Sequence, residues 1–280
     1  MKVFVKKDEL KTALNQARSE KKTIGFVPTM GALHQGHIKL VERSVGENDL
    51  TVVSIFVNPI QFNNPDDLKK YPRTIEKDIN LLAQTGCNFI FTPEVKEMYP
   101  DQTTEKYSFG SLEEVMEGKF RPGHFNGVAV VVKRFFDIIS PNNAYFGEKD
   151  FQQLAVIKRL VHDCQIPVNI VPCETIRELD GLAMSSRNMR LTNEQRKSAA
   201  QISEKLRKLS SLLNNNPVNT SILLITNELN NIEHLKVEYL EIVDDTSLLS
   251  VKNLRESKGI VACIAVFCGE VRLIDNIRIK

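Results

Sequence analysis

Four short segments of this sequence bring together residue types able to bind an anion or a small polar molecule. In Pro28–His37, PTMGALHQGH, two glycines let backbone approach a ligand closely. His34 and His37 stand three apart where a helix-like pattern begins, so both imidazoles lean toward one bound anion at the positive end of the helix dipole. The segment is not a Walker A loop, because His37 rather than Lys-Ser or Lys-Thr follows Gly36, and no GxGxxG occurs in the chain. Zinc ligation by the HxxH pair lacks the HExxH frame and a third ligand set by spacing. Helix-capping or surface histidines are the plainer reading of the same pair.

The second segment, Asn58–Pro65 (NPIQFNNP), is rich in amides, whose donors and acceptors suit a ligand bearing hydroxyls and a carboxylate. It also reads as a polar turn. In the third, Phe146–Gln153 (FGEKDFQQ), Lys149 offers a point charge to a phosphate, Asp150 an acceptor to a ribose hydroxyl, and Gln153 lies one turn further on. Glu148 and Asp150 are equally ordinary first-turn acids. The fourth, Met184–Asn188 (MSSRN), sets two hydroxyls beside a guanidinium, an oxyanion clamp or else a solvated loop. A further Gly- and aromatic-rich stretch, Lys119–Gly127, carries Arg121 and His124 and is expected as a mobile loop over an active site.

These segments need elements to hold them. Strand-like runs occur at Thr23–Val27, Leu50–Val57, Asn88–Thr92, Ala144–Phe146 and Val168–Val171. Helical spacing separates several of them, through Leu10, Ala13, Leu14 and Ala17; Ile75, Ile79 and Leu82; and Leu154, Ile157 and Val161. Such alternation predicts α/β architecture: a Rossmann-like, doubly wound parallel sheet over residues 1–176, with ligands at the carboxyl ends of its strands. Three of the four segments follow predicted strands of that sheet. Beyond Ile176 the pattern changes. Thr192 and Gln195 have capping-box spacing ahead of a long helix, a second helix covers Ser221–Leu229, and strands follow at Val237–Val243, Ile260–Phe267 and Glu270–Ile274. A smaller C-terminal α+β domain over 177–280 is expected, closing over the nucleotide site of the first.

Composition removes several classes of function. Lysine and arginine total 37 against 35 acids, too small an excess for a dedicated nucleic-acid binder. The longest apolar run, Ile260–Phe267, is far too short to cross a bilayer, and the N-terminal residues lack a secretory apolar core. The five cysteines include no CxxC pair, so free thiols are expected rather than a disulfide framework or zinc ribbon. Cys263 and Cys268, an odd spacing apart, should point to opposite faces of one strand. The expectation is a soluble cytoplasmic protein with no nucleic-acid or membrane partner.

The motifs PTMGALHQGH, FVNPIQF, YPRT, RPGHFNGV, FGEKDFQQL and MSSRN, in this order, resemble the pantothenate synthetase (pantoate–β-alanine ligase) family. The HxGH element is also similar to that of class I aminoacyl-tRNA synthetases and nucleotidylyl transferases. Their KMSKS signature corresponds loosely to Met184–Arg187, with no lysine before Met184. The resemblance implies ATP-dependent condensation of pantoate with β-alanine through pantoyl adenylate, releasing pyrophosphate and AMP. Catalytic roles fall on His34, His37 and Lys149. ATP is held by Met30, Gly31, Ala32, Leu33, His34, Gln35, Gly36 and His37; by Gly147, Glu148, Lys149 and Asp150; and by Ile176, Met184, Ser185, Ser186 and Arg187. Within that set the triphosphate falls to Lys149, Ser185, Ser186 and Arg187, the ribose to Gly147 and Asp150, and adenine to backbone near Ile176. Gln61 and Gln153 bind pantoate, with Asn58 nearby. Magnesium bridges phosphates with few protein ligands, Asp78 being the carboxylate expected near it. A homodimer is also implied.

Two other readings compete. A nucleotidylyl transferase acting on a phosphorylated small molecule fits the HxGH element, although the amides at Asn58, Gln61 and Gln153 suit an unphosphorylated ligand better. A nucleotide sensor or RNA-binding relative would need a lost phosphate contact, whereas His34, His37, Lys149 and Arg187 are all present.

Overall fold

The computed structural model describes residues 1–101 and 105–280, and these fall into two compact units. The first comprises residues 1–109, 121–148 and 153–174; the second comprises 110–120, 149–152 and 175–280.

In the first unit, β1 (Lys2–Phe4), β2 (Ile24–Thr29), β3 (Leu50–Ile55), β4 (Phe89–Phe91), β5 (Asn143–Gly147) and β6 (Asn169–Cys173) form one parallel sheet. Its strand order is β1-β4-β3-β2-β5-β6. The chain winds outward from β2 through β3 to β4, then returns to place β5 on the other side of β2. That reversal opens a crevice at the carboxyl ends of β2 and β5, where α/β sheets bind ligands. Neighbouring side chains on a strand face opposite ways. Val27 thus joins Ile38, Val41, Val53 and Ile90 under the Gln35–Glu47 helix. Phe26 turns the other way, 5.4 Å from Phe135 and 6.4 Å from Phe136 of the His124–Ile139 helix. Both faces are covered, as a doubly wound sheet requires.

The His124–Ile139 helix has no counterpart among the predicted elements. Twelve of its residues are buried, including the β-branched run Val130–Val132. Its first turn lies within a Gly-rich stretch whose residues favour turns, which hides the helix start in the sequence. The stretch 119–127, expected as a loop, is mostly helix instead. Lys119 and Phe120 end the Met116–Phe120 helix, and His124 opens the buried one after a left-handed Gly123.

The second unit carries an antiparallel sheet in the order β7-β8-β9, from β7 (Leu235–Asp244), β8 (Ile260–Cys268) and β9 (Val271–Arg278). One face packs Ile260, Ala262, Ile264, Val266 and Cys268 with Ile202, Leu206, Leu209 and Ile225 of the helices Asn193–Leu212 and Val218–Asn230. The Thr192 capping box forms in full: Gln195 N–H donates to Thr192 Oγ1 at 3.2 Å and Thr192 N–H to Gln195 Oε1 at 3.0 Å. All five cysteines are free thiols. Cys268 lies in the helix-facing cluster, and burial pushes the Cys87 thiol up to about 12. Among the described residues no helix is long and apolar enough to cross a membrane.

Candidate active site

β2 ends at Thr29, and the loop after it turns through Gly31 (φ 81°) and Ala32 (φ 49°), both left-handed. That conformation costs an alanine about 1 kcal/mol or more, so something must hold it. Asp78 does. Its Oδ2 accepts from Ala32 N–H at 2.9 Å, and its Oδ1 accepts from Leu33 N–H at 2.8 Å and Thr74 Oγ1 at 3.1 Å. The residue is 0% exposed. Sequence reasoning expects this carboxylate near magnesium; in the structure both of its oxygens accept from the loop, and Oδ1 also from Thr74.

The loop delivers His34 as the cap of the Gln35–Glu47 helix. Gly36 N–H donates to His34 Nδ1 at 3.2 Å, and His34 N–H donates to His37 Nδ1 at 3.3 Å. A backbone N–H only donates, so Nδ1 of each ring is the acceptor and a neutral ring carries its proton on Nε2. The rings are tilted by 37° with their centroids 4.0 Å apart. Two imidazole Nε2–H donors side by side suit phosphate oxygens.

The amide-rich segment after β3 folds as a 3₁₀ turn, Pro59–Gln61, with Asn58 1% exposed and Gln61 8% exposed. The buried helix presses against this turn. A Cβ on Gly127 would lie 2.5 Å from the Ile60 carbonyl, so only glycine permits the approach. His124 Nδ1–H donates to the Gln61 carbonyl at 2.9 Å. RPGHFNGV is thus a buttress for NPIQF. Gln61 Nε2 reaches Met30 Sδ at 3.1 Å, which joins this turn to the histidine loop. The first unit therefore brings Met30, Asn58 and Gln61 together and sets His34 and His37 on the following helix. Gly147 and Glu148 stand at the end of β5, and Gln153 is half-buried in the first turn of the helix beyond.

The second unit holds Lys149, with a side chain 18% exposed and Nζ 3.7 Å from Asp150 Oδ1. Sequence reasoning missed what fixes this segment. Asn276 Nδ2 of β9 donates to the Lys149 carbonyl at 2.9 Å. Gln152 Nε2 donates to the carbonyls of Leu112 (2.7 Å) and Val115 (2.8 Å), and Glu117 N–H donates to Gln152 Oε1 at 2.9 Å. Glu117 in turn accepts from Arg272 Nη2 at 2.6 Å and from Tyr239 Oη at 2.8 Å. Burial, then the Glu117 carboxylate, pushes the Tyr239 phenol far above its ordinary range.

MSSRN forms the start of a 3₁₀ turn, Ser186–Arg190. Ser185 Oγ caps it by accepting from Arg187 N–H at 3.3 Å, and Ser186 is buried. Met184 N–H donates to the Ile176 carbonyl at 3.0 Å, tying the expected adenine-side backbone to this turn. Arg177, also missed, grips Asp275 with two bonds of 2.7 and 3.0 Å.

The family model for pantoate-beta-alanine ligase matches residues 2–278. The chain belongs to the pantoate–β-alanine ligase family. Pantothenate synthetase from Porphyromonas gingivalis is 51% identical over 278 residues, 99% of each chain. Among solved structures, pantothenate synthetase from Thermus thermophilus superposes with a TM-score of 0.93 at 40% identity, covering 100% of both chains. The pantoate-beta-alanine ligase from Francisella tularensis, complexed with beta-gamma ATP and beta-alanine, gives 0.86 at 37% identity, covering 100% of this chain and 98% of that one. The fold, enzyme class and reaction read from the motifs agree with membership of this ligase family, and the nucleotidylyl-transferase and sensor readings are set aside.

Proposed function

We propose that this ligase condenses pantoate with β-alanine by activating the pantoate carboxylate on ATP, and that each unit makes a distinct set of substrate contacts. A pantoate carboxylate oxygen attacks the α-phosphorus; the bond to the α–β bridging oxygen breaks, and pyrophosphate leaves with the electron pair. The neutral amine of β-alanine then attacks the acyl carbon, loses a proton, and displaces AMP. No covalent bond to the protein is needed. What the residues must supply is alignment and stabilisation of charge developing on the phosphates.

In the first unit, His34 and His37 donate Nε2–H to phosphate oxygens, and His37 serves as proton donor to the leaving group. Asn58, Gln61 and Gln153 meet pantoate. The loop Met30–Gly36 and the Gly147–Glu148 backbone meet nucleotide. In the second unit, Lys149, Ser185, Ser186 and Arg187 contact the triphosphate, Asp150 the ribose, and the backbone from Ile176 to Met184 the adenine. The carrying observation is the buried Asp78 carboxylate, which fixes the strained loop and thereby both histidines.

Among the described residues no group of three or more His, Cys, Asp or Glu side chains forms a metal cage. Magnesium would accompany the triphosphate with few protein ligands and would neutralise part of its charge. Homodimeric assembly belongs to the same proposal, two-fold dimers being the commonest oligomers, and sedimentation equilibrium tests it. So does a cytoplasmic location, whose reducing conditions keep thiols such as these five free.

ATP–pyrophosphate exchange, measured with magnesium and pantoate but without β-alanine, is the decisive experiment. Pantoate-dependent exchange is the expected result, and added β-alanine should then release AMP. ATP turnover that never depends on pantoate would overturn the assignment of the adenylation step.

A further inference from the structure

A side-chain amide has one donating and one accepting end, and its surroundings decide which way it faces. Asn58 sits 3.1 Å from the Gly127 carbonyl, a group that only accepts, so the end facing Gly127 is Nδ2. The second hydrogen of the same nitrogen goes to Gln61 Oε1, also at 3.1 Å. The remaining end, Oδ1, accepts from Tyr99 Oη at 2.7 Å. Both ends of the Asn58 amide are thereby assigned, and Gln61 follows: its oxygen is turned toward Asn58, leaving Nε2 on the other side. There Nε2 meets the thioether of Met30, a weak acceptor that a carboxylate or hydroxyl oxygen readily replaces.

We propose that Tyr99 is a positioning residue for the acyl substrate, acting through Asn58 to lock Gln61 with its N–H groups facing the substrate. The wall built this way accepts lone pairs and turns away donors, a selection for carboxylate and hydroxyl oxygens over an ammonium or amide nitrogen. Tyr99 is itself held. Its ring lies 6.2 Å from Phe56, and the Arg134 guanidinium sits 4.7 Å over its face while donating to the Met98 carbonyl. Burial pushes its phenol above the ordinary range, which keeps the hydroxyl a donor. Without that hydroxyl, Asn58 Oδ1 would be a buried acceptor with its partner removed, and the amide would be held from one side only.

The proposal rests on Gln61 contacting pantoate, so its test includes a variant of each residue. Steady-state kinetics on the full-length enzyme would compare Tyr99→Phe, Gln61→Ala and Gln61→Glu. Tyr99→Phe keeps the ring and should raise the pantoate KM by about fivefold, the scale of one buried hydrogen bond, with the ATP KM nearly unchanged and the melting temperature lower by only a few degrees. Gln61→Glu still satisfies Asn58 with one oxygen but offers the other to the substrate carboxylate. It should lose more kcat/KM for pantoate than Gln61→Ala does. Equal or better activity of Gln61→Glu would overturn the assigned polarity. A normal pantoate KM in Tyr99→Phe, with a raised one in Gln61→Ala, would overturn the role of Tyr99 alone. A normal pantoate KM in Gln61→Ala would remove the parent reading and the proposal with it.

Discussion

Asp78 and Glu117 are both buried carboxylates that hold a segment bearing candidate site residues, and the two units satisfy them by different means. Asp78 is surrounded by neutral donors, two backbone N–H groups and a threonine hydroxyl. Glu117 meets a cation and a phenol: Arg272, which also binds Glu238, and Tyr239. Burying an ion pair desolvates two charges, whereas amides and hydroxyls stabilise one charge without adding another. The first arrangement suits a turn whose own backbone is the thing to be shaped. The second suits a join between segments far apart in the chain, since Arg272 reaches 155 residues back to Glu117.

The largest effect should come from the charged cluster. Arg272→Met leaves Glu117 and Glu238 without their cation and should lower stability by about 3–5 kcal/mol in denaturant unfolding. Replacing all three residues by apolar ones of similar volume should recover much of that loss, and no recovery would show that the charges stabilise this join beyond what packing supplies. Next come the groups proposed to meet phosphate. His37→Ala and Lys149→Ala should each lower turnover by ~10²-fold or more, one from each unit, while both stay folded and His37→Ala loses a few degrees of melting temperature with its cap bond. A loss below about fivefold in both would remove the proposed roles. Asp78→Asn should be milder for stability, about 1–3 kcal/mol, because one of two charge-assisted acceptors becomes a donor facing a donor. Its activity should fall further than that of any Arg272 variant that stays folded, since the histidine loop is what it shapes.

The smallest effect concerns Asp244, a half-buried carboxylate that also relies on neutral donors. Ser247 N–H, then the Ser257 and Ser247 hydroxyls, hold its carboxyl far below the usual range. A depressed native value adds stability that is present above the unfolded value near pH ~4 and fades as the pH falls below it. Asp244→Asn should lower the melting temperature at neutral pH and leave it little changed in acid, so that the acid limb of the profile flattens. An unaltered acid limb would show that these bonds do not distinguish the folded carboxylate from the unfolded one.

Most of the parallel sheet was legible, because its strands are β-branched runs separated by helical spacing. The loops after β2, β3 and β5 were legible for the same reason, since a sheet of this kind gathers them at one edge. The Thr192–Gln195 box is local and was read correctly. What escaped was non-local. Asp78 reaches Ala32 across 46 residues and Tyr99 reaches Asn58 across 41, and nothing in either neighbourhood announces the pairing. The His124–Ile139 helix escaped because its first turn lies within a Gly-rich stretch that reads as a loop. Gly123 and Gly127, four apart, have a spacing that suits a helix pressed against backbone. Read as loop glycines, they suggested motion where the structure has a buttress.

Asp78 also acts as a resident anion. The amides of Ala32 and Leu33 are where a stray sulfate or phosphate would otherwise settle, and an internal oxygen already sits on each. Free phosphate in the surrounding water therefore finds those two seats taken. In deuterium exchange both amides should be slow before any nucleotide is added and no slower after it, marking a loop that is ready in advance.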